Sequence, residues 1–394
     1  MPKNINQEIL SRGVEEVFVF KHLAEKLKQR KLLRVKFGID PTGPNIHLGR
    51  AVPLLKLRAL QSLGHTVVLV IGDFTAQIGD PSDKLDKRPL LTKQQVENNL
   101  KSYKKQLSKI LDTDKVEWHF NSRWLSKLNL QEFSKLAEAF TVQQMLSRRN
   151  FKERYNKNQE ISLREFIYPL LQGYDSVKVK ADLEIGGADQ LFNLQAGRLL
   201  QPLYGQLSQD ILTTQMLEGT DGRKMSTSWG NTINITESPQ EMYGQAMSIK
   251  DELLPKYLLL TTNLPLVEVE FLIKQLTSNI NPKTIKQKLA WQLVSFYHSI
   301  KQADAAAKEF DVVHRQKLTP NQIPTKPLPK QKDWSVVDLL FSFKLVSSKN
   351  EAKRLIEQGG VKVNKQTIIN WQQIIKLEAN LLLQVGKRKF LTFK

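Results

Sequence analysis

The 394-residue sequence contains no cysteine, which excludes disulfides and thiolate metal sites together. Its six histidines are scattered without paired spacing, so no zinc site or other protein-bound structural metal is expected. No run approaches the roughly 18 apolar residues of a membrane span. The opening MPKNINQEIL lacks the apolar core of a signal peptide, so a cytoplasmic protein without a membrane partner is expected. Acidic residues are also scarce, with 39 Asp+Glu against 59 Lys+Arg and a formal charge of +20. That excess suits a polyanionic partner, because phosphate neutralisation attracts nucleic acid without reading its sequence. Generic solubility or a lysine-favouring codon bias explains the same excess, so charge alone does not decide.

What remains is ordinary for a folded protein: 40% apolar and 25% charged residues, over a length that allows two or three domains. The stretch on which the rest depends is Phe37 to Arg50, FGIDPTGPNIHLGR. It follows the apolar run Leu32 to Val35, which reads as a buried strand, and precedes the helix-length segment Ala51 to Leu63. Strand, tight loop and helix start make an anion site, since the first N–H groups of a helix have no internal partner. His47 either adds a donor there or simply caps and packs. Far downstream, Glu218 to Ser228 reads EGTDGRKMSTS, a cationic loop able to close over a triphosphate.

Strand-like and helix-like segments alternate through the first half. Residues 1 to about 30 read as helical. Val67 to Ile71 is a doubly buried strand, Thr92 to Leu111 a helix, Val116 to Phe120 a strand and Leu130 to Leu146 a helix. Asp182 to Ile185 and Asp189 to Leu200 repeat the pattern. Such βα units predict a mainly parallel sheet covered by helices, with ligands at the carboxyl ends of the strands. FGIDP, IGDFTAQIGDP and EIGGADQ all fall at such ends. Ser147 to Ile161 reads as a mobile polar loop, either solvated or facing RNA with Arg148, Arg149, Lys152 and Arg154.

Tyr168, Gln172 and Asp175 share one helical face, and form either a small-molecule pocket or a partly exposed surface. Asp189 and Gln190 follow Gly186-Gly187, where small residues let a nucleotide approach; an N-cap role for Asp189 competes. After the KMSTS loop the alternation stops. Ser238-Pro239 with Glu241, and Asn281-Pro282 with a stripe of Ile285, Leu289, Leu293, Phe296 and Ile300, mark a helical module. Four prolines make 318–333 an extended linker. The tail begins at Trp334. Ser348 and Glu351 start a helix that Gly359-Gly360 ends, and VKVNKQTI reads as two strands around an Asn turn. Its basic excess, including Lys344, Lys349, Lys353, Arg354, Lys362, Lys365, Lys376, Lys387, Arg388, Lys389 and Lys394, fits RNA.

HLGR and KMSTS, in this order, resemble the HIGH and KMSKS signatures of class I aminoacyl-tRNA synthetases. With YPLLQGYD and IGGADQ the chain resembles bacterial tyrosyl-tRNA synthetases over nearly its whole length. SSKNEAKRLIEQGGVKVN resembles the small RNA-binding domain of the ribosomal S-four type. The resemblance implies an α/β chain: a Rossmann-like parallel-sheet catalytic domain (1–231), an α-helical anticodon-region module (232–317), the linker (318–333) and an α+β RNA-binding domain (334–394). It implies tyrosine, ATP with Mg²⁺ and tRNA(Tyr) as partners, and a homodimer. By resemblance, Asp175 accepts a hydrogen bond from the substrate phenol. Tyr168, Gln172 and Asp80 hold the amino group, and Gly38 and Gln190 line the tyrosine site. Asp40, Gly49, Gly187, Asp189 and Gln190 surround ribose, adenine and carboxylate. Thr42, His47, Lys224, Met225 and Ser226 belong to the phosphate-handling loops, and Lys349, Lys353, Arg354 and Lys362 to the RNA-binding face.

Four positions depart from the commoner pattern. Arg50 stands for a histidine, Thr227 for a lid lysine, Lys36 for a tyrosine near the phenol, and Ala188 for a serine. Lys224 thus becomes the single lid lysine, with Lys84, Lys87 or Arg88 as candidate compensators. The chemistry agrees with this allocation. A carboxylate nucleophile needs no general base for adenylation, only positioning and charge neutralisation. A buried aspartate left unpaired by phenylalanine gives discrimination of roughly 10⁴ or more without editing. Three rivals stand beside it: a tryptophanyl enzyme of the same fold, an RNA-binding protein on an inherited, catalytically weak scaffold, and an HxGH-type nucleotidyltransferase for cofactor synthesis, which gives no reason for the helical module or the tail.

Overall fold

The computed structural model describes residues 5–81, 91–226, 229–278, 281–315, 323–329, 331–346, 348–386 and 389–394. Lys84, Lys87, Arg88, Thr227, Lys387 and Arg388 lie outside the described residues, as does most of the start of the proposed linker. The described chain divides into two compact units, one of residues 1–237 and 245–293, the other of 238–244 and 294–394.

The first unit opens with α1 (Ile5–Ser11), β1 (Val14–Phe18) and α2 (Phe20–Lys28). One helix was expected here. Instead VEEVF pairs antiparallel with β6 (Asp210–Thr214), a strand the sequence pattern did not reveal. Pairing covers a sheet edge whose backbone groups would otherwise be unpartnered. Between them run β2 (Arg34–Ile39), α3 (Leu48–Ser62), β3 (Thr66–Ile71), β4 (Val116–Phe120) and β5 (Leu183–Gly187). Strand order is β1-β6-β5-β2-β3-β4, and every pair except β1 with β6 is parallel. The expected parallel sheet is therefore present. Chain order reverses between β2 and β5, and that reversal opens the crevice in which α/β folds bind ligands.

Several long helices predicted from apolar periodicity are broken. The segment 92–111 forms α4 (Lys93–Leu100) and α5 (Tyr103–Leu107). After α6 (Ser122–Leu125), the segment 130–146 forms α7 (Leu130–Glu138) and α8 (Val142–Ser147), because Thr141 starts a new helix with a capping box to Gln144. The expected polar loop is largely α9 (Arg149–Asn156). Arg148 and Arg154 are buried, Arg154 pairing with Glu165 at 2.5 Å, so neither faces RNA; Arg149 and Lys152 are exposed. Next come α10 (Leu163–Val179), packed on α11 (Leu191–Leu200), and after the KMSTS loop α12 (Pro239–Met247), α13 (Leu254–Thr261), α14 (Leu266–Thr277) and α15 (Pro282–Tyr297). Ser238 and Glu241 form the expected cap of α12. Ile285, Leu289 and Leu293 are buried on α15, but Ile300 is exposed and begins α16 (Ile300–Arg315). No helix among the described residues is long and apolar enough to cross a membrane.

In the second unit, β7 (Thr325–Lys326), within the proline-rich segment, is not a free tether: it pairs with β13 (Lys389–Phe393). Then follow β8 (Asp333–Ser335), α17 (Val336–Ser342), α18 (Lys349–Glu357), β9 (Val361–Val363), β10 (Gln366–Ile368), β11 (Ile374–Lys376) and β12 (Leu382–Val385). Ser348 accepts from the Glu351 amide at 3.1 Å, starting α18 where predicted. β9 and β10 form the predicted hairpin, with Asn364 and Lys365 both at positive φ, as a two-residue primed turn requires. Val336, Leu340, Ala352, Ile356, Val361, Leu383 and Phe393 anchor its core.

Candidate active site

The crevice is assembled from the strand ends. Asp40 follows β2, and its Oδ1 accepts from Thr75 Oγ1 (2.7 Å) while Oδ2 accepts from the Tyr168 hydroxyl (2.8 Å). Gly72, after β3, leaves room for this carboxylate: an added Cβ would lie 1.8 Å from Asp40 Oδ1. Asn121, after β4, donates to Thr75 Oγ1 (3.0 Å) and to Asp175 Oδ2 (3.2 Å). Trp124 Nε1 donates to Asp175 Oδ1 (2.8 Å). One hydrogen-bond chain thus runs from Tyr168 through Asp40, Thr75 and Asn121 to Asp175. Burial pushes Asp40 up to about 7 and Asp175 up to about 6, each against the pull of its donors. Thr75, Asn121 and Trp124 escaped sequence reasoning, because neutral residues at strand ends carry no motif.

Asp80 is held from the other side. Gln190 Nε2 donates to Oδ2 (2.7 Å), and Asn193 Nδ2 to Oδ1 (3.2 Å). The guanidinium of Arg148 donates to Asn193 Oδ1 (3.2 Å) and lies over Phe192. Asp189 sits in a 3₁₀ turn after Gly187 (Ala188–Gln190), and the residue preceding α11 is Gln190, so Asp189 does not occupy the N-cap position of α11. Gly38 is exposed on β2 with open space above it. Gln172 Nε2 donates to Glu184 Oε1 (3.1 Å), and Lys36 is fully buried beside the same carboxylate, 2.9 Å away.

The two signature loops meet. Leu48 N donates to Ile233 O (2.9 Å), Ile235 N to Ile46 O (3.0 Å), and His47 bridges Asn234. Gly49 N lies 3.3 Å from Met225 Sδ, and a Cβ on Gly49 would come within 3.2 Å of both Met225 and His47. His47 precedes α3 but makes no side-chain cap bond, and its Nδ1 is buried with no hydrogen-bond partner among the described residues. Burial and then the Arg50 charge push His47 down to about 3, so its ring is neutral. Arg50 donates to Thr42 Oγ1 (2.7 Å) and Tyr103 OH (3.3 Å), which fixes Thr42 at the loop. Downstream, Asn231 is the clasp of the lid. Its Nδ2 donates to Asp221 Oδ1 (2.8 Å) and Lys224 O (3.1 Å), and its Oδ1 accepts from Ser226 N (2.8 Å). The Lys224 residue itself is exposed.

The arrangement sets the carboxylates of Asp40, Asp80 and Asp175 in one cluster, near a helix start and a loop that carries Lys224. The chain as a whole is similar to known proteins. The model for tRNA synthetases class I (W and Y) covers residues 28–314, and that for the S4 domain covers 336–369. The tyrosine–tRNA ligase of Carboxydothermus hydrogenoformans is 48% identical over 395 residues, covering 98% of this chain and 96% of that protein. The Thermotoga maritima tyrosine–tRNA ligase is 44% identical over 385 residues, covering 97% and 96%.

The chain belongs to the tyrosyl-tRNA synthetases of class I.

Solved tyrosyl-tRNA synthetases share the fold. The Archaeoglobus fulgidus structure, complexed with L-tyrosine, has a TM-score of 0.61 at 21% identity, over 77% of this chain and 99% of that one. A truncated mitochondrial tyrosyl-tRNA synthetase of Aspergillus nidulans gives 0.63 at 22%, over 80% and 94%. In the tail of this synthetase, Lys349 pairs with Asp338 (2.6 Å), Lys353 Nζ lies 4.2 Å from the Trp371 ring centre, Arg354 is exposed and Lys362 is half-buried on β9.

Proposed function

We propose that the chain is a tyrosine–tRNA ligase that activates L-tyrosine with Mg²⁺-ATP and passes it to the 3′ end of tRNA(Tyr), releasing pyrophosphate and AMP. The observation that carries the substrate assignment is Asp175, buried at the pocket end with one donor on each oxygen. Each oxygen keeps acceptor capacity for a phenol hydroxyl, and phenylalanine would leave the desolvated carboxylate short of a partner.

The remaining roles are those that the family resemblance implies. Tyr168, Gln172, Asp80 and Gln190 receive the amino acid, the acidic groups favouring its ammonium. Asp40, Gly49, Gly187, Asp189 and Met225 border the nucleotide, and the start of α3 with Thr42 and neutral His47 donates to phosphate. Lys224 and Ser226 on the lid, with Arg50 fixing Thr42, stabilise charge as pyrophosphate leaves; Mg²⁺ arrives with ATP as substrate. No proton acceptor is needed, because the tyrosine carboxylate is already the nucleophile. The tail binds tRNA through Lys349, Lys353, Arg354 and Lys362. The protein acts as a cytoplasmic homodimer, for which exposed Leu130, Val142 and Leu163 offer apolar surface.

The test is amino-acid-dependent ATP–pyrophosphate exchange with tyrosine, tryptophan and phenylalanine in parallel. Exchange with tyrosine alone is expected. Exchange with tryptophan overturns the substrate, and none with any, in folded RNA-binding protein, overturns the enzyme.

A further inference from the structure

Lys36 on β2 and Glu184 on β5 are register partners in the parallel sheet, and both are fully buried. Their charged ends are 2.9 Å apart. Removing two charges from water costs several kcal/mol per ion, and attraction recovers this only with further hydrogen bonds. Those bonds are made, and they converge on α10. Lys36 Nζ donates to Gln172 O (2.8 Å) and to Ser176 Oγ (2.8 Å). Glu184 accepts from Gln172 Nε2 (3.1 Å), from Ser176 Oγ (3.0 Å) and from Gln209 Nε2 (2.5 Å). Every proton of the ammonium has an acceptor within the protein, so Lys36 has none left to offer a ligand. The two α10 residues it grips, Gln172 and Ser176, flank Asp175.

We infer that the Lys36–Glu184 pair is a positioning device for the tyrosine pocket, registering α10 on the sheet and setting opposed fields on the Asp175 carboxylate. The inference rests on the assignment of Asp175 to the substrate phenol. Lys36 favours the ionised form of Asp175 and Glu184 opposes it, the lysine being the stronger of the two. The other titratable groups around Asp175 are Asp40 after β2, Tyr168 on α10 itself, and Asp80, which acts on the same cluster. From β4, His119 faces the Trp124 ring, 6.0 Å between centres, and its Nε2 lies 3.5 Å from Glu117. None of these is gripped by both strands, so Lys36 and Glu184 are the pair whose removal isolates the effect.

The experiment measures KM for tyrosine in ATP–pyrophosphate exchange with the full chain, between about pH 5 and about pH 9. Wild-type KM should rise as Asp175 takes up a proton near its value of about 6. Lys36→Met should move that rise to higher pH, and Glu184→Gln to lower pH, with kcat at saturating tyrosine much less affected. A general packing defect would move both variants the same way, and shifts of like sign, or none, overturn the inference. Either single change leaves one altered buried partner and endangers folding. The double variant Lys36→Met/Glu184→Gln leaves no charge behind, and should shift the rise upward by less than Lys36→Met. An unchanged midpoint in the double variant overturns the inference as well. Asp175→Asn separates the two layers: if it keeps tyrosine over phenylalanine, the pocket assignment itself falls. If it loses that preference while the pair variants show no shift, only the role of the pair falls.

Discussion

The Tyr168 hydroxyl donates to Asp40 Oδ2 across 2.8 Å, tying α10 to the carboxyl end of β2. Even with this donor and Thr75, burial holds the Asp40 pKa near 7, above its ordinary 3.8. The native chain therefore keeps a proton that the unfolded chain releases. The stability Asp40 contributes is complete below about pH 4 and is lost as pH rises through about 7. Asp40→Asn should flatten this dependence: wild type should lose more melting temperature than the variant between about pH 5 and about pH 8. Asp175, raised to about 6, adds a decline of the same sign in both proteins. Parallel melting curves across this range would refute the assignment.

Lys224 is the lysine of a lid that touches the HLGR loop through Met225 and Gly49. A cation that meets phosphate mainly as pyrophosphate departs should act on turnover rather than on tyrosine binding. Lys224→Ala is expected to lower the exchange kcat by roughly 10²–10³ with KM for tyrosine nearly unchanged, the usual size for one lost transition-state contact. Wild-type turnover in this variant would remove Lys224 from the mechanism.

Asn231 holds the same lid from beneath, bonding Asp221, Lys224 and Ser226 at once. Asn231→Ala removes its bonds to the Ser226 amide, the Lys224 carbonyl and Asp221. A stability loss of about 0.5–1.5 kcal/mol for each part-buried bond is expected, read by denaturant unfolding. The exchange rate should fall with it while tyrosine KM stays close to wild type, because the clasp touches no residue of the amino-acid pocket. A rise in tyrosine KM as large as the fall in kcat would contradict this.

The parallel sheet was legible because β3 is buried on both faces and reads as an unbroken apolar run. The motif loops were legible because a strand-to-helix turn with glycine and histidine is chemically specific. Short β1 and β6 were not: β1 shows neither clean alternation nor burial, and pairing with β6 decides its state. Charge misled at Arg148 and Arg154. Both are buried, one over Phe192 and bonded to Asn193, the other paired with Glu165, and sequence alone does not reveal which arginines find partners. Lys36 was read as a residue near the phenol, but its contacts are all protein acceptors.

The tail offers a separate prediction. Arg354 is exposed on α18, and the neighbouring Lys353 ammonium sits over the Trp371 ring at 4.2 Å, where the indole keeps it in place without neutralising it. Lys349 differs, since Asp338 already pairs with it and draws its own carboxyl below the ordinary range through that bond. The two unneutralised cations should therefore carry more of the phosphate contact than Lys349. Lys353→Ala/Arg354→Ala should weaken tRNA binding and reduce the slope of log affinity against log salt by about 2, one for each lost phosphate contact. Lys349→Ala should change that slope less, because its loss also releases Asp338. Filter binding or fluorescence titration at several salt concentrations measures both. Equal slopes for wild type and the double variant would place the RNA contact elsewhere on the tail.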